Sequence, residues 1–385
     1  MVAGPVAYLD ANATTPVDPR VAAAMLSALT DLHGNPSSVH AAGRDARRAI
    51  EAARRKVAAL IGADRPDEIV FTSGGSESNV AAIRAALAAR PGRRKVVTSA
   101  VEHPSVHATL DRLAATDGIV IHRLPVDACG RLDLDAYRAS LGPDTALVTL
   151  MTANNETGTL FPIADLVPLA HAVGALFHTD AVQAAGRLDF SVAASGVDMA
   201  SLSAHKLHGP KGIGALHVRR GIPFEGLITG GGQERGRRAG TENVPGIVGF
   251  GVAARLAFSD NQARRISGLR DRLETCVLSA LPGAFVLGDR AARLANTACL
   301  AFPGADAEMM LSRLDRAGIA ASSGSACAAG GMAPSRVLLA MGLKHLAGSV
   351  VRFSLSRFNT DADIDHLLAL LPAIAREAGI LETAA

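Results

Sequence analysis

Apolar segments of two different periods alternate along roughly the first 255 residues, and this alternation restricts the fold more than any other feature. Ala46, Ile50, Ala53, Val57, Leu60 and Ile61 recur at steps of three and four, with Gly62 behind them. That is an amphipathic helix with a glycine stop. Between such helical patterns lie short apolar runs ending in small or polar residues. They are Glu68-Ile-Val-Phe-Thr72, Lys95-Val-Val-Thr98, Thr145-Ala-Leu-Val-Thr-Leu150, Ala175-Leu-Phe-His178, Met199-Ala-Ser-Leu202 and Gly214-Ala-Leu-His-Val218. Strands flanked on both sides by helices imply an α/β architecture with a mostly parallel central sheet.

Beyond this region the pattern changes. One long helical stretch is expected over about 245–280, then strand-like runs at 297–302 and 350–354 and helical patterns at 307–317 and 361–378. These suit a smaller α+β domain. The 385 residues are enough for two or three domains. We divide the chain into an N-terminal segment, 1–15, packing with the small domain, a large α/β domain, 16–255, and a small C-terminal domain, 256–385. The segment 230–241 is rich in glycine and arginine, lacks periodicity and carries too much charge for a core.

Composition removes several classes of function. Tryptophan is absent, only two tyrosines occur and the net charge is +3, so nucleic acid is not expected as the main partner. No run is long and apolar enough for a membrane span, and the N-terminus lacks the pattern of a signal peptide. The four cysteines, Cys129, Cys276, Cys299 and Cys327, show no paired spacing, which argues against a disulfide framework or a zinc site and for the cytoplasm. His205 and His208 have no evident third ligand, so no metal is expected.

Only five of the 39 basic residues are lysines. One of them, Lys206, closes Ser203-Ala-His-Lys206 just after an apolar run. A primary amine forms a Schiff base and a guanidinium does not, which points to pyridoxal phosphate. Thr72-Ser-Gly-Gly-Ser-Glu-Ser-Asn79 follows a strand and opens a helix, so it is either a phosphate cradle or an ordinary turn with a serine cap. Asp180, in His178-Thr-Asp-Ala-Val-Gln183, stands at a strand's C-terminal end, where α/β sheets bind ligands; alone it would read as a helix cap. His103 precedes Pro104 after another strand and suits either a flat ligand or a polar turn. Ser322-Ser-Gly-Ser-Ala-Cys327 is built of small residues, and a cysteine in such a loop suits nucleophilic chemistry. Arg352, in a strand-like run, is either a carboxylate clamp or an ion-pair residue.

Taken in order, these stretches resemble the NifS-type cysteine desulfurases, within the class V aminotransferase family of PLP-dependent fold type I. Tyr8-Leu-Asp-Ala-Asn-Ala-Thr-Thr15, Gly34-Asn-Pro-Ser-Ser-Val-His40, Ala153-Asn-Asn-Glu-Thr-Gly-Thr159, His205-Lys-Leu-His-Gly-Pro-Lys-Gly212 and Gln233-Glu-Arg-Gly-Arg-Arg-Ala-Gly-Thr-Glu-Asn243 carry the same resemblance, over about residues 8–370. Ala11 departs from the usual motif, as does the Gly75-Ser76 pair.

The resemblance implies a role for each matching residue. Lys206 would hold pyridoxal phosphate and shuttle the Cα proton, and His103 would stack on the ring and assist. Asp180 would pair with the pyridine nitrogen and Gln183 with the phenolic oxygen. Gly75, Ser76, Ser203 and His205 would hold the phosphate, with Thr241 reaching the phosphate of a second protomer. Asn154 and Arg352 would bind the carboxylate of L-cysteine, Asn154 also lying near the cofactor. Cys327 would attack the substrate sulfur and carry it as a persulfide. A homodimer that supplies sulfur to an iron–sulfur scaffold or other acceptor, for nitrogenase cluster assembly or alternatively in a housekeeping role, is the implied biological setting.

Overall fold

The apolar runs become strands because both faces of each are buried. In the computed structural model, residues 7–257, 260–323 and 334–380 are described. Their strands, in chain order, are β1 (Ala7–Tyr8), β2 (Ile69–Thr72), β3 (Lys95–Ser99), β4 (Val120–Leu124), β5 (Thr145–Thr149) and β6 (Leu176–Asp180). They continue with β7 (Met199–Ser203), β8 (Gly214–Val218), β9 (Phe285–Leu287), β10 (Thr297–Ala301), β11 (Ile319–Ala320) and β12 (Val350–Ser354).

A seven-stranded sheet of order β2-β8-β7-β6-β5-β3-β4 dominates the structure. It is parallel except at β8, which runs antiparallel to both neighbours. Successive residues enter opposite cores. Phe71, Val97, Val148, Phe177 and Ala200 join one apolar cluster with the helices Ala41–Leu60 and Val244–Leu256. Val70, Val96, Leu147, Leu176 and Met199 join another with the helices Gly75–Ala88 and Pro104–Asp117. This is the period of two, with helices covering both sides.

The C-terminal part builds a separate cluster. β10 lies between β12 and β9, antiparallel to both. The cluster gathers Leu300, Phe353, Leu273, Met310 and Leu367, and also Ala7 and Leu9 from the N-terminal segment. The chain thus belongs to the α/β class, with a mostly parallel main sheet, flanking helices and a small antiparallel sheet.

Two expectations are corrected. The helical stretch over 245–280 is two helices, Val244–Leu256 and Asp260–Ala280. The first packs on Pro19–Asp31 and Ala41–Leu60, the second on Asp361–Glu377, so the stretch serves two different cores. The charged segment 230–241 is not wholly superficial either. Glu234 is buried, because the guanidinium of Arg54 meets its carboxylate at 2.7 and 2.8 Å.

Candidate active site

The polar residues at the ends of β2, β3, β5, β6 and β7 converge on one cavity of about 170 Å³. Gly75, Ser76, His103, Asp180, Gln183, Ser203, His205, Lys206 and Arg352 all line it. This is the carboxyl edge of the sheet, the usual ligand-binding edge of α/β proteins.

Lys206 ends the short turn Ala204–Lys206 directly after β7. Its Nζ donates to the carbonyls of Asn12 (2.6 Å) and Ala13 (2.7 Å). Asp180 ends the neighbouring strand, in register with Ser201. Its Oδ1 accepts from the Val182 amide at 3.0 Å and its Oδ2 from Asn79 Nδ2 at 2.7 Å. None of the ion pairs among the described residues involves Asp180. His103 caps the helix Pro104–Asp117: its Nδ1 accepts from the Ser105 amide at 3.1 Å. That bond leaves the ring proton of a neutral His103 on Nε2.

Gly75 and Ser76 open the helix Gly75–Ala88, whose first amides have no partner within the helix. A Cβ at Gly75 would stand 2.8 Å from Val182 Cγ2, so a side chain there would collide with the cavity wall. Gly214, opening β8, would carry its Cβ 2.6 Å from the Gly74 Cα. Close approach of two backbones fixes this turn. His205 is held at Thr14 Oγ1 (3.1 Å), and burial, then the Lys206, Lys211 and Arg187 cations, lowers it to about 4. Its ring is neutral at neutral pH. Arg352 lies fully inside β12, with Nη2 on Asp10 Oδ1 (2.7 Å) and Nη1 on the Asn155 carbonyl (2.9 Å).

Two described residues named from the sequence, Asn154 and Thr241, do not line this cavity. The Asn154 side chain closes its own turn: Oδ1 accepts from the amides of Glu156 (2.9 Å) and Thr157 (3.0 Å), and Nδ2 donates to the Val101 carbonyl. Asn155 is the asparagine that lines the cavity. Thr241 is exposed and does not line the cavity of its own chain. Cys327 lies outside the described residues. The nearest described stretches on either side are fastened near the site. Ser322 exchanges backbone hydrogen bonds with Arg352 (2.6 and 3.2 Å), and Ser335 Oγ donates to Glu156 Oε2 at 2.5 Å. Cys327 lies five positions after Ser322 in the sequence, a span of at most ~18 Å.

Asn12, Asn79, Glu102 and Arg187 were not candidates from the sequence. Arg187 is enclosed by acceptors: Asn12 Oδ1 (2.7 Å), the Ala11 carbonyl (3.0 Å) and Gln183 Oε1. Burial, with Arg352 nearby, brings it down to about 9. Gln183 Nε2 donates to the Asn12 carbonyl at 3.0 Å. Asn12 therefore joins Lys206, Gln183 and Arg187. Arg187 lies in no stretch singled out from the sequence, whereas Asn12 and Asn79 each stand within one.

A mostly parallel sheet with a lysine, an aspartate and a glycine-opened helix at its carboxyl edge defines a recognisable class. The aminotransferase class-V family pattern matches residues 7–367, and the chain belongs to that family. It is 56% identical over 369 residues to a cysteine desulfurase of Cereibacter sphaeroides, covering 95% of each chain. It is 49% identical to the cysteine desulfurase NifS of Azotobacter vinelandii, covering 96% of this chain and 92% of the relative. A solved NifS-like protein superposes with a TM-score of 0.90 at 36% identity, over 96% of this chain and 99% of its own. Within the family this chain is a cysteine desulfurase, NifS-like in sequence and fold.

Proposed function

We propose that the cavity holds pyridoxal 5'-phosphate and that the enzyme converts L-cysteine and the Cys327 thiol into L-alanine and a Cys327 persulfide. The observation that carries this proposal is the meeting of Lys206, Asp180, His103 and the Gly75 helix end in one cavity. The donors fit the group. Asp180 is a buried carboxylate with no cationic partner among the described residues, suited to a protonated pyridine nitrogen. Gln183 would meet the phenolic oxygen, and Gly75, Ser76, Ser203 and His205 would hold the phosphate.

Bound pyridoxal phosphate supplies an electron-withdrawing ring that weakens the bonds at the substrate's Cα. The protein supplies the rest. Lys206 Nζ holds and moves the Cα proton, and His103 Nε2 assists it from the end of β3. Arg352 grips the substrate carboxylate through its fork. Asn155, rather than Asn154, is the asparagine on that wall. The Cys327 sulfur attacks the substrate sulfur: the C–S bond breaks, an S–S bond forms and the β-carbon gains hydrogen. Cys327 is thereby oxidised as the carbon is reduced, and atoms balance without another oxidant.

We take residues 16–255 as a large domain and 256–385 as a small one, with residues 1–15 on the small domain. The presence of Ala7 and Leu9 in the C-terminal cluster supports this division. The working form is a homodimer. Its support is Thr241, exposed and not lining its own cavity, together with the exposed apolar residues Leu26, Leu29, Leu227 and Ile228. The persulfide passes to an iron–sulfur scaffold or other acceptor, in nitrogenase maturation, as the likeness to the Azotobacter NifS suggests. The three described cysteines are free thiols, which suits the cytoplasm.

The test is incubation with L-cysteine followed by intact mass. The wild type should gain one sulfur on Cys327 and Cys327→Ser should gain none. An adduct that survives Cys327→Ser refutes the assignment. Loss of nitrogenase activity without loss of growth on fixed nitrogen, after gene deletion, checks the cluster-assembly role.

A further inference from the structure

The segment 230–241 reaches the Gly75 helix end of its own chain at two points. Its turn Gln233–Gly236 holds two side-chain-bearing residues in the left-handed region, Glu234 (φ 47°) and Arg235 (φ 60°). Such conformations need compensation. The Glu234 carboxylate provides it: besides the two bonds from Arg54, Oε2 accepts from the Phe71 amide at 2.9 Å. Phe71 is in β2, four residues before Gly75.

The second point is Arg238, whose Nε meets Glu77 Oε1 at 3.1 Å. Glu77 lies in the first turn of the Gly75–Ala88 helix, and its Oε2 accepts from the Ser73 amide at 2.8 Å. Glu77 therefore does two opposing things. It fastens the turn that presents Gly75 and Ser76, and it puts a negative charge within one helical turn of a place suited to a phosphate. Burial pushes the Glu77 carboxyl up, but the bonds from Ser73 and Arg238 prevail and hold it below the usual range. The carboxylate is thus ionised, and its charge needs an answer.

We propose that Arg238 is a positioning residue for the cofactor's phosphate: it neutralises and orients Glu77 while Glu234 anchors the segment that carries it. The inference rests on the pyridoxal phosphate reading of the cavity. It also gives the Arg/Gly-rich stretch a role within its own chain, independent of Thr241.

The experiment is titration of the apoprotein with pyridoxal phosphate and, separately, with pyridoxal, which lacks the phosphate, followed by visible absorbance. Arg238 is partly exposed, so Arg238→Met should fold, and circular dichroism verifies it. Arg238→Met should weaken pyridoxal phosphate binding roughly tenfold, the effect of an unanswered charge near a dianion at intermediate dielectric. Pyridoxal binding should not change, and Arg238→Lys should restore most of the loss. Glu77→Gln should bind pyridoxal phosphate at least as tightly as the wild type and make binding indifferent to Arg238→Met. Equal weakening toward both ligands, or no weakening, overturns the proposal. A wild type that takes up neither ligand overturns the reading of the site and the brace with it.

Discussion

Replacing Glu102 by glutamine should leave the protein about as stable in mild acid and make it more stable above neutrality. Glu102 is fully enclosed beside His103. Its Oε1 accepts from Ser99 Oγ (2.6 Å) and the Met151 amide (3.0 Å), and its Oε2 has no partner. Burial, against those two bonds and with Asp180 adding to it, pushes the carboxyl from its ordinary 4.5 up to about 8. A folded-state value above the unfolded one means stability that is complete below 4.5 and lost as pH rises toward 8. The whole interval corresponds to about 5 kcal/mol at ~1.4 kcal/mol per pH unit. Local relaxation reduces this to roughly 3 kcal/mol. Glutamine keeps the Oε1 acceptor and cannot ionise, so it escapes that loss. For a chain of 385 residues this amounts to a rise in Tm of about 4 °C. The assay is thermal unfolding of wild type and Glu102→Gln between pH 5 and 9, at matched cofactor loading. A Tm difference that stays constant over this range, or a variant less stable than the wild type at pH 9, refutes the reasoning.

Arg352→Lys should raise KM for L-cysteine about tenfold or more with a smaller change in kcat, because an ammonium cannot reproduce the two-pronged grip; steady-state kinetics reads the split. Asp18→Asn should cost roughly 2 kcal/mol at pH 7. Asp18 is buried under Arg20 and Arg357, whose bonds, those of Arg20 first, hold its carboxyl far below the usual range. Its contribution is present above the ordinary aspartate range and lost on acidification, so wild type and variant should converge in Tm as pH falls.

How much could be read beforehand follows from where each residue's partners lie. The eight recognised strands announced themselves because both faces are buried, which leaves an unbroken apolar run. β4 escaped notice because it is an edge strand. Four of its five residues, His122 and Arg123 among them, keep some solvent contact. β1 and β11 have two residues each, too few to show a period. At the site, Lys206, Asp180 and His103 were legible because each ends or follows an apolar run, which places it on the sheet's carboxyl edge. Asn12 was not, because its partners are residues 155, 183, 187, 206, 296, 297 and 354, scattered along the whole chain. That the Asn154 side chain closes its own turn while Asn155 lines the cavity also needed coordinates, since adjacent identical residues differ only in direction.

The pair of carbonyls that receives Lys206 has a consequence for timing. A carboxylate would trap the amine as its counter-ion, but a peptide oxygen accepts a hydrogen bond from an ammonium or a neutral amine alike. The side chain can therefore rest at Asn12 and Ala13 in either charge state. Asn12 is itself moored to Thr297 and Ser354, on β10 and β12. A small rocking of the C-terminal sheet against the seven-stranded sheet would carry the berth with it. Arrival of substrate under Arg352, on that same β12, would then be felt mechanically at the amine.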